Sequence, residues 1–118
     1  MHPQLELLLE LQDLKTQRQA LATEGLKDVE FEVFDLRPEE ALQILDTKID
    51  ELAERLDDPV RSRFREVSES VGRAVAPVLN GVCYGCYVAV PTAWSSEVGR
   101  NDRVNVCSHC GRFLYYVD

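Results

Sequence analysis

Four cysteines, arranged as two pairs, are the residues of this 118-residue chain with the clearest capacity for chemistry. Cys83 and Cys86 form one C-x-x-C motif, Cys107 and Cys110 form a second, and twenty residues separate the two motifs. Two residues between thiols let a tight turn direct both sulfur atoms toward one point, and the paired spacing matches a four-thiolate zinc site. Zinc accepts tetrahedral sulfur coordination, and four protein ligands leave no open position for water or substrate. We therefore predict that these cysteines hold one zinc ion in a structural role.

The same residues allow other chemistry. A C-x-x-C pair can cycle between thiol and disulfide, which would make the chain a thiol oxidoreductase. Gly111, directly after Cys110, is a turn residue that tolerates a positive φ. Two motifs beside turn glycines, with strand-like segments on both sides, favour zinc over redox chemistry. His109 lies between two cysteines, but a fifth ligand is unnecessary, so we expect it to be exposed and not to bind metal. The sequence has no Ser/His/Asp grouping, phosphate-binding glycine loop or convincing carboxylate pair, and we predict that the protein is not an enzyme.

The segments around the cysteine pairs have the character of short β-strands. Residues 74–79 are apolar, partly β-branched, and run into Asn80-Gly81, a pair typical of turns. Residues 103–106 lead into the second motif, and residues 112–117 lead away from it. We predict that these segments form a three-stranded antiparallel zinc ribbon. Because so small a module buries little apolar surface, its folding should depend on the metal.

Upstream of the ribbon, apolar stripes with helical spacing predict two helices. The first runs from about residue 4 to residue 24, and the second begins at Pro38. The stripes consist of Leu7, Leu11, Leu14 and Leu21 in the first helix, and of Leu42, Leu45, Ile49, Leu52 and Leu56 in the second. Residues 25–37 include alternating apolar and acidic side chains, which favours a short extended segment. We predict an antiparallel, coiled-coil-like helical hairpin that forms an arm of residues 1–71.

Pro59 interrupts the second stripe, which resumes through Phe64 and Val67. The proline ring removes a backbone donor and crowds the preceding turn, so the helix must bend or end there. We favour a kinked continuation over a new helix capped by Asp58. The fold class predicted for the whole chain is α+β, with the helical hairpin followed by the ribbon of residues 72–118.

Charge divides unevenly between the arm and the ribbon. Residues 1–71 hold nine Lys or Arg against eighteen Asp or Glu, a net charge of −9, whereas residues 72–118 hold four against three, a net charge of +1. Phosphate backbones and anionic membranes should repel so acidic an arm. Any contact with RNA or DNA should therefore come from the ribbon, where the candidates are Arg100, Arg103, Arg112, Trp94, Tyr84 and Tyr87. The alternative is that these aromatic residues cover the small core of the ribbon and the arginines keep it soluble.

The ribbon sequence resembles that of a known family. The matching runs are Asn80 to Cys86, Val90-Pro91, and Asp102 to Tyr115, within a region of residues 72–116. They resemble the bacterial four-cysteine zinc-ribbon proteins with a long N-terminal helical hairpin, in which Cys-Gly-Arg-aliphatic-Leu-Tyr ends the second motif and Phe113 here takes the aliphatic place. The resemblance implies a coiled-coil arm joined to a zinc ribbon, and nucleic-acid-binding or regulatory roles with protein partners. The arm of this chain is shorter than the family arm.

Together these features predict a zinc-binding regulatory adaptor. A protein partner or a second copy would contact residues 4–71, and binding of RNA or DNA through the ribbon is the alternative function. We expect no membrane contact because the sequence has no apolar run of about 20 residues. We expect a cytoplasmic location because no targeting signal is visible, and cysteines there stay reduced.

Overall fold

A computed structural model describes residues 1–24, 38–91 and 100–117. For Glu24, Pro38 and Arg100 it describes the backbone but not the side chain. The described residues confirm an α+β fold with three α-helices, four β-strands and one turn of 3-10 helix at Arg100–Asp102. The helices are α1 (Pro3–Glu24), α2 (Pro38–Glu54) and α3 (Asp58–Val71). The strands are β1 (Val75–Leu79), β2 (Val82–Cys83), β3 (Asn105–Val106) and β4 (Phe113–Tyr116). The extended segment predicted at residues 25–37 lies outside the described residues.

Helices α1 and α2 pack side by side in opposite directions. Near the start of α1, the Gln4 side chain donates a hydrogen bond to the carbonyl of Arg55 (3.2 Å) and accepts one from the amide of Asp57 (2.8 Å). Near the other end of α1, Arg18 forms a salt bridge with Asp46 of α2. Between these contacts the apolar stripes meet, with the buried side chains Leu8, Leu11, Ile49 and Leu52.

Helix α3 is a new helix and not a continuation of α2. The backbone of Asp57 is extended (φ −62°, ψ 149°), and Pro59 lies in the first turn of α3, where its missing N–H removes no helical hydrogen bond. The Lys15 ammonium lies 5.0 Å from the centre of the Phe64 ring, so α3 packs back along α1. The favoured prediction of a kinked helix is therefore wrong. The simple helical hairpin is also not confirmed, because the described part of the arm contains a third helix.

The strands form one mixed sheet with the order β2-β1-β4-β3. Strand β1 pairs antiparallel with β2 and parallel with β4, and β3 pairs antiparallel with β4. The predicted three-stranded antiparallel ribbon is therefore not confirmed: β2 is a fourth strand, and the central pair is parallel. Parallel neighbours need a long connection, which residues 80–112 supply between β1 and β4.

A tight turn joins β1 to β2 at the predicted position. Leu79 and Val82 are paired across the hairpin, and the two residues between them, Asn80 and Gly81, have φ values of 53° and 74°. Two positive φ values mark a type I′ turn, whose backbone twist matches that of the flanking strands. The Asn-Gly signal therefore indicated a hairpin that places β2, and with it Cys83, beside β1.

The sheet lies between the helices and the cysteines. On one face, Val75 and Phe113 belong to the core cluster that includes the helical leucines. On the other face, Ala76, Val78 and Leu114 belong to a second cluster that includes Cys83 and Cys107. This alternation follows the two-residue period of β-strands. The proposed boundary between residues 71 and 72 therefore crosses a shared core.

None of the described helices is long and apolar enough to span a membrane.

Candidate metal centre

The four predicted cysteines come together at the end of the sheet. Their Sγ atoms all lie within 4.8 Å of one another, with 3.9 Å between Cys83 and Cys110 and 3.7 Å between Cys86 and Cys107. Tetrahedral zinc with Zn–S bonds of about 2.3 Å places its sulfur ligands about 3.8 Å apart. A disulfide needs about 2.05 Å, and all four cysteines are free thiols. The sulfur positions therefore fit one tetrahedral metal ion, and they are compatible with a structural zinc site.

The first cysteine pair lies in a hydrogen-bonded turn at the end of β2. The Tyr87 amide donates to the carbonyl of Cys83 (2.7 Å), and the Cys83 amide donates to the carbonyl of Val88 (3.1 Å). Tyr87, directly after Cys86, has a φ of 62°. We call residues 83–88 the first knuckle.

The second pair lies in a turn of the same construction between β3 and β4. The Gly111 amide donates to the carbonyl of Cys107 (2.9 Å), and the Cys107 amide donates to the carbonyl of Arg112 (2.8 Å). Gly111, directly after Cys110, has a φ of 79°, as the sequence predicted for a residue that tolerates positive φ. We call residues 107–112 the second knuckle. The two knuckles are structural repeats that differ in placing tyrosine or glycine at the left-handed position.

Hydrogen bonds and burial give the thiols unequal acidity. Burial raises the pKa of Cys83, although the amides of Gly85 and Cys86 oppose the shift. Burial, together with hydrogen bonds to neighbouring sulfurs, raises the pKa of Cys86 to about 12. At Cys110 burial also acts to raise the pKa. Hydrogen bonds from the backbone and side chain of Arg112, together with those from Cys107 and Cys86, outweigh burial and lower the pKa to about 7. Four clustered thiols cannot easily ionise together, and a divalent cation would supply the positive charge that stabilises them as thiolates.

Arg112 connects the two knuckles. Its Nε donates a hydrogen bond to the carbonyl of Arg73 (2.8 Å), in the link between α3 and β1. The same side chain covers Gly85, where an added Cβ would lie 2.6 Å from Cδ of Arg112. Glycine at position 85 leaves room for this close approach, and its φ is not positive, unlike that of Gly81. Sequence reasoning placed Arg112 only on a possible binding surface, although its position next to Gly111 in the family-like run was a signal for a role near the metal.

The other predicted contact residues have different surroundings. Tyr84 is 44% exposed and Tyr87 is 74% exposed, and their ring centroids lie 5.7 Å apart. Arg103 and His109 are also exposed, and His109 is not one of the clustered metal-ligand residues. Arg112 is only half-buried but is engaged in the contacts above. Trp94 and the side chain of Arg100 lie outside the described residues.

The N-terminal residues support the sheet, a contact that sequence reasoning missed. The Met1 amino group lies 3.2 Å from a carboxylate oxygen of Asp102, and the His2 amide donates to the carbonyl of Asn101 (2.8 Å). The Asn101 side chain in turn accepts from the Tyr116 amide (2.9 Å) and donates to the Tyr116 carbonyl (2.7 Å). The start of α1 is thereby tied to β4.

Comparisons with known proteins support the fold and leave the function open. No protein-family model matches the chain, and no curated protein matches it. Among solved structures, HP0958 from Helicobacter pylori is similar with a TM-score of 0.60 and 25% identity over 86% of this chain and 41% of that protein. CT398 from Chlamydia trachomatis is similar with a TM-score of 0.55 and 29% identity over 67% of this chain and 34% of that protein. The chain thus spans well under half the length of either structure.

Proposed function

We propose that this protein is a zinc-binding regulatory adaptor in which one zinc ion has a structural role and the helices contact a protein partner. The observation that carries the proposal is the convergence of four cysteine Sγ atoms within 4.8 Å. Four protein ligands complete a tetrahedral shell, whereas catalytic zinc keeps one position for water or substrate. The protein is therefore proposed as a binding protein and not an enzyme.

The surroundings of the cysteines favour a structural role for the metal. Cys83 and Cys107 are buried and share a cluster with Val78, Leu114 and Tyr116 of the sheet. This cluster is small, so the metal would contribute much of the free energy that holds both knuckles against β1 and β4. The adjoining strands are short, with two residues each in β2 and β3, and short strands alone give little stability.

Metal content tests this proposal most directly. The purified, reduced full-length protein is expected to hold one equivalent of zinc, measured by mass spectrometry of the digested sample. Cys86→Ser and Cys107→Ser should each lower zinc retention sharply, whereas the control Ser108→Ala, between two ligands, should keep the full equivalent. A metal-free preparation whose sheet remains ordered would refute the structural role. A tightly held equivalent would also exclude the thiol oxidoreductase alternative.

The adaptor role rests on the outer surface of the arm. Ile44 of α2 is 59% exposed, and it lines a shallow depression with charged residues that include Glu40, Lys48 and Glu51. An exposed large apolar side chain with a charged rim is a common feature of protein contact sites. We expect Ile44→Lys to abolish recovery of a specific partner, or self-association in analytical ultracentrifugation, while zinc content stays unchanged. The adaptor role would be refuted if the wild-type protein stays monomeric at every concentration and no partner is recovered with it.

Binding of single-stranded RNA or DNA is a second candidate function, favoured by the knuckle surface. Residues 72–91 and 103–117 contain three arginines and no aspartate or glutamate. The exposed rings of Tyr84 and Tyr87 offer faces on which bases can stack. We expect binding of a labelled oligonucleotide that weakens steeply with salt and weakens further in Arg103→Ala. If the zinc-loaded protein shifts neither RNA nor DNA at low salt, this candidate is excluded.

A further inference from the structure

A cleft opens where α3 ends beside α1 and α2. Its volume is about 870 Å³, and its walls come from all three helices and from the link between α3 and β1. Sites for small molecules in proteins commonly have volumes of about 300–1,000 Å³. The cleft is therefore large enough for a small organic ligand. It lies on the helical face of the sheet, opposite the cysteine face.

The charge of the cleft is opposite to that of the arm. Among the described residues that line it, the cations are Lys15, Arg18 and Arg73, and the single carboxylate is Asp46. Asp46 is already paired with Arg18. Neither Lys15 nor Arg73 forms an ion pair with any residue in the described ranges. In a segment with twice as many acids as bases, two cations without carboxylate partners make this cleft locally attractive to an anion.

The remaining lining residues supply apolar area and a hydroxyl group. Ile49, Phe64 and Ala74 belong to the buried core, and their edges line the cleft. The Lys15 ammonium lies 5.0 Å from the centre of the Phe64 ring, so the cation and the apolar surface adjoin. The Oγ atom of Ser68 is buried without a hydrogen-bond partner among the described residues, and Ser68 also lines the cleft. Buried hydroxyl groups normally have a partner, and a ligand acceptor would provide one.

We infer that this cleft binds a small organic anion, in which one carboxylate, sulfonate or phosphate group is joined to an aromatic or aliphatic body. The anionic group lies between Lys15 and Arg73 and accepts a hydrogen bond from Ser68. The apolar body contacts Phe64 and Ile49. Charge complementarity and the adjoining apolar surface select this class over neutral or cationic molecules. The site is separate from the four cysteines, so it does not depend on the function proposed for the zinc.

A fluorescent aromatic anion tests the inference on the zinc-loaded, full-length protein. Anilinonaphthalene sulfonate has a sulfonate group and an aromatic body, and its emission rises on binding. We expect saturable binding of one molecule per chain, with an affinity that falls as salt is raised. Phenylnaphthylamine, a neutral probe with a similar aromatic body, should bind more weakly.

Charge-neutralising variants locate the site. Lys15→Gln and Arg73→Gln should each weaken sulfonate binding about tenfold, the usual effect of losing one charged hydrogen bond. Arg65→Gln of α3 and Arg55→Gln, directly after α2, remove the same charge from exposed positions outside the cleft and should leave the affinity unchanged. Zinc content and far-ultraviolet circular dichroism of every variant should match the wild type, which separates loss of the site from loss of the fold.

Three outcomes would overturn the inference. The first is the absence of saturable sulfonate binding to the wild-type protein. The second is an equal loss of affinity in the cleft variants and the control variants, which would indicate a general charge effect. The third is that the neutral probe binds as tightly as the anionic probe, both to the wild-type protein and to Lys15→Gln. This result would indicate an apolar cleft without anion selectivity.

Discussion

Arg112 brings a guanidinium group next to the cysteine cluster, and three contacts hold the Arg112 side chain in place. Its Nε donates to the Arg73 carbonyl at 2.8 Å, its aliphatic part covers Gly85, and its hydrogen bonds lower the pKa of Cys110. Hydrogen bonds from outside the ligand shell orient metal ligands and stabilise their anionic form. Arg112 is therefore placed to act as a positioning residue for the candidate metal centre.

Replacement of Arg112 should loosen the metal without removing a ligand. We expect Arg112→Ala to speed zinc transfer to a chromogenic chelator and to weaken zinc affinity about 10- to 100-fold, as is usual when such a supporting contact is lost. Arg112→Lys should recover only part of the effect because lysine cannot reproduce the planar guanidinium contacts. Arg103→Ala removes an exposed cation from the segment before β3 and serves as the control. Wild-type transfer rates in Arg112→Ala would argue against a positioning role.

Gly85 and Arg112 should behave as a coupled pair. A Cβ at position 85 would lie 2.6 Å from Cδ of Arg112, so Gly85→Ala should displace the Arg112 side chain. Because a flexible side chain can move aside, we expect stability to fall by about 1 kcal/mol, the lower end of the usual effect of overpacking. In an Arg112→Ala background the obstruction is absent, and the same substitution should have much less effect. The free energies of unfolding of the two single variants and the double variant measure this coupling. Additive effects would show that the close approach is unimportant.

Tyr87 occupies a position that favours glycine. Its φ of 62° corresponds to the 79° of Gly111 in the second knuckle, and the left-handed region destabilises a residue with a Cβ by about 1–2 kcal/mol. Because glycine loses more chain entropy on folding, Tyr87→Gly should raise the free energy of unfolding by only about 0.5–1 kcal/mol. Val88→Gly, at the next position and without a positive φ, should lower it instead. Both changes can be read from urea unfolding of the zinc-loaded protein.

The Tyr87 substitution also tests whether its strain serves a function. An exposed aromatic side chain in a strained conformation is a reason to look for a binding role. Under the nucleic-acid proposal, Tyr87→Gly should weaken oligonucleotide binding while zinc content stays the same. A more stable protein with unchanged binding to every partner tested would show that the strained tyrosine has no part in recognition.

Among these residues, only the clustering of the four cysteines was fully predictable from sequence. Two C-x-x-C motifs twenty residues apart predicted that the four cysteines share one site, and the four sulfur atoms do converge. The contact between Gly85 and Arg112 joins residues from different turns, so it depends on how the knuckles approach each other. Gly111 was recognised correctly as a turn residue, whereas nothing in the local pattern indicated that Tyr87 would take the equivalent conformation.

Among the secondary-structure elements, the reversal after α2 depends on a tertiary contact. Arg61 of α3 donates to the carbonyls of Ala53, Glu54 and Leu56, at 2.9, 3.1 and 2.8 Å. Ala53 and Glu54 are the last two residues of α2, and Leu56 lies in the link to α3. Carbonyls at the C-terminal end of a helix lack donors from a following helical turn. One side chain from the next helix thus caps the last carbonyls of α2 and ties the start of α3 to them.

Loss of the Arg61 contacts should destabilise the junction between α2 and α3. Arg61→Ala removes three hydrogen bonds to backbone carbonyls, and its side chain is 31% exposed, so we expect a loss of about 1–3 kcal/mol in the free energy of unfolding. Arg65→Ala, an exposed arginine in the same helix, should change stability by less than about 0.5 kcal/mol. Equal midpoints of urea unfolding for the two variants would contradict this role.

The same contact explains why sequence predicted the helices but not their arrangement. Apolar periodicity located α1 and α2 closely, and Pro59 correctly marked an interruption. Whether the chain bends or reverses after proline depends on partners such as Arg61 with Ala53, which no local pattern specifies. The parallel pairing of β1 with β4 is a similar case, since each strand pattern fits either direction.

At the level of the whole molecule, β4 connects the two clusters. Phe113 is 1% exposed and packs with the helical leucines, whereas its neighbour Leu114 is completely buried and packs with Cys83 and Cys107. Consecutive residues of one strand therefore contribute to opposite faces of the sheet. Composition and motif spacing predicted a helical part and a cysteine part, but they could not show that one strand would join their cores.

This arrangement predicts that metal loss weakens the helical core as well as the knuckles. Chelation of zinc under reducing conditions should lower the melting temperature of the helices, measured by far-ultraviolet circular dichroism, because β4 loses support on its cysteine face. In the zinc-loaded protein, the near-ultraviolet signal of the tyrosines should change at the same temperature as the helical signal.

Phe113→Ala should destabilise the zinc-loaded protein by about 3–5 kcal/mol, the usual effect of removing a buried phenylalanine.

The alternative is an arm and a ribbon that unfold independently. In that case the helices would melt at the same temperature with and without zinc, and the two spectroscopic signals would separate. Val117→Ala, a substitution of an exposed residue directly after β4, provides a control that should leave the coupling intact. Phe113→Ala is the decisive variant, since it removes the helical contact of β4 without altering a metal ligand. If the cores are coupled, this variant should also release zinc faster, because opening of the helical face lets the sheet and its knuckles separate.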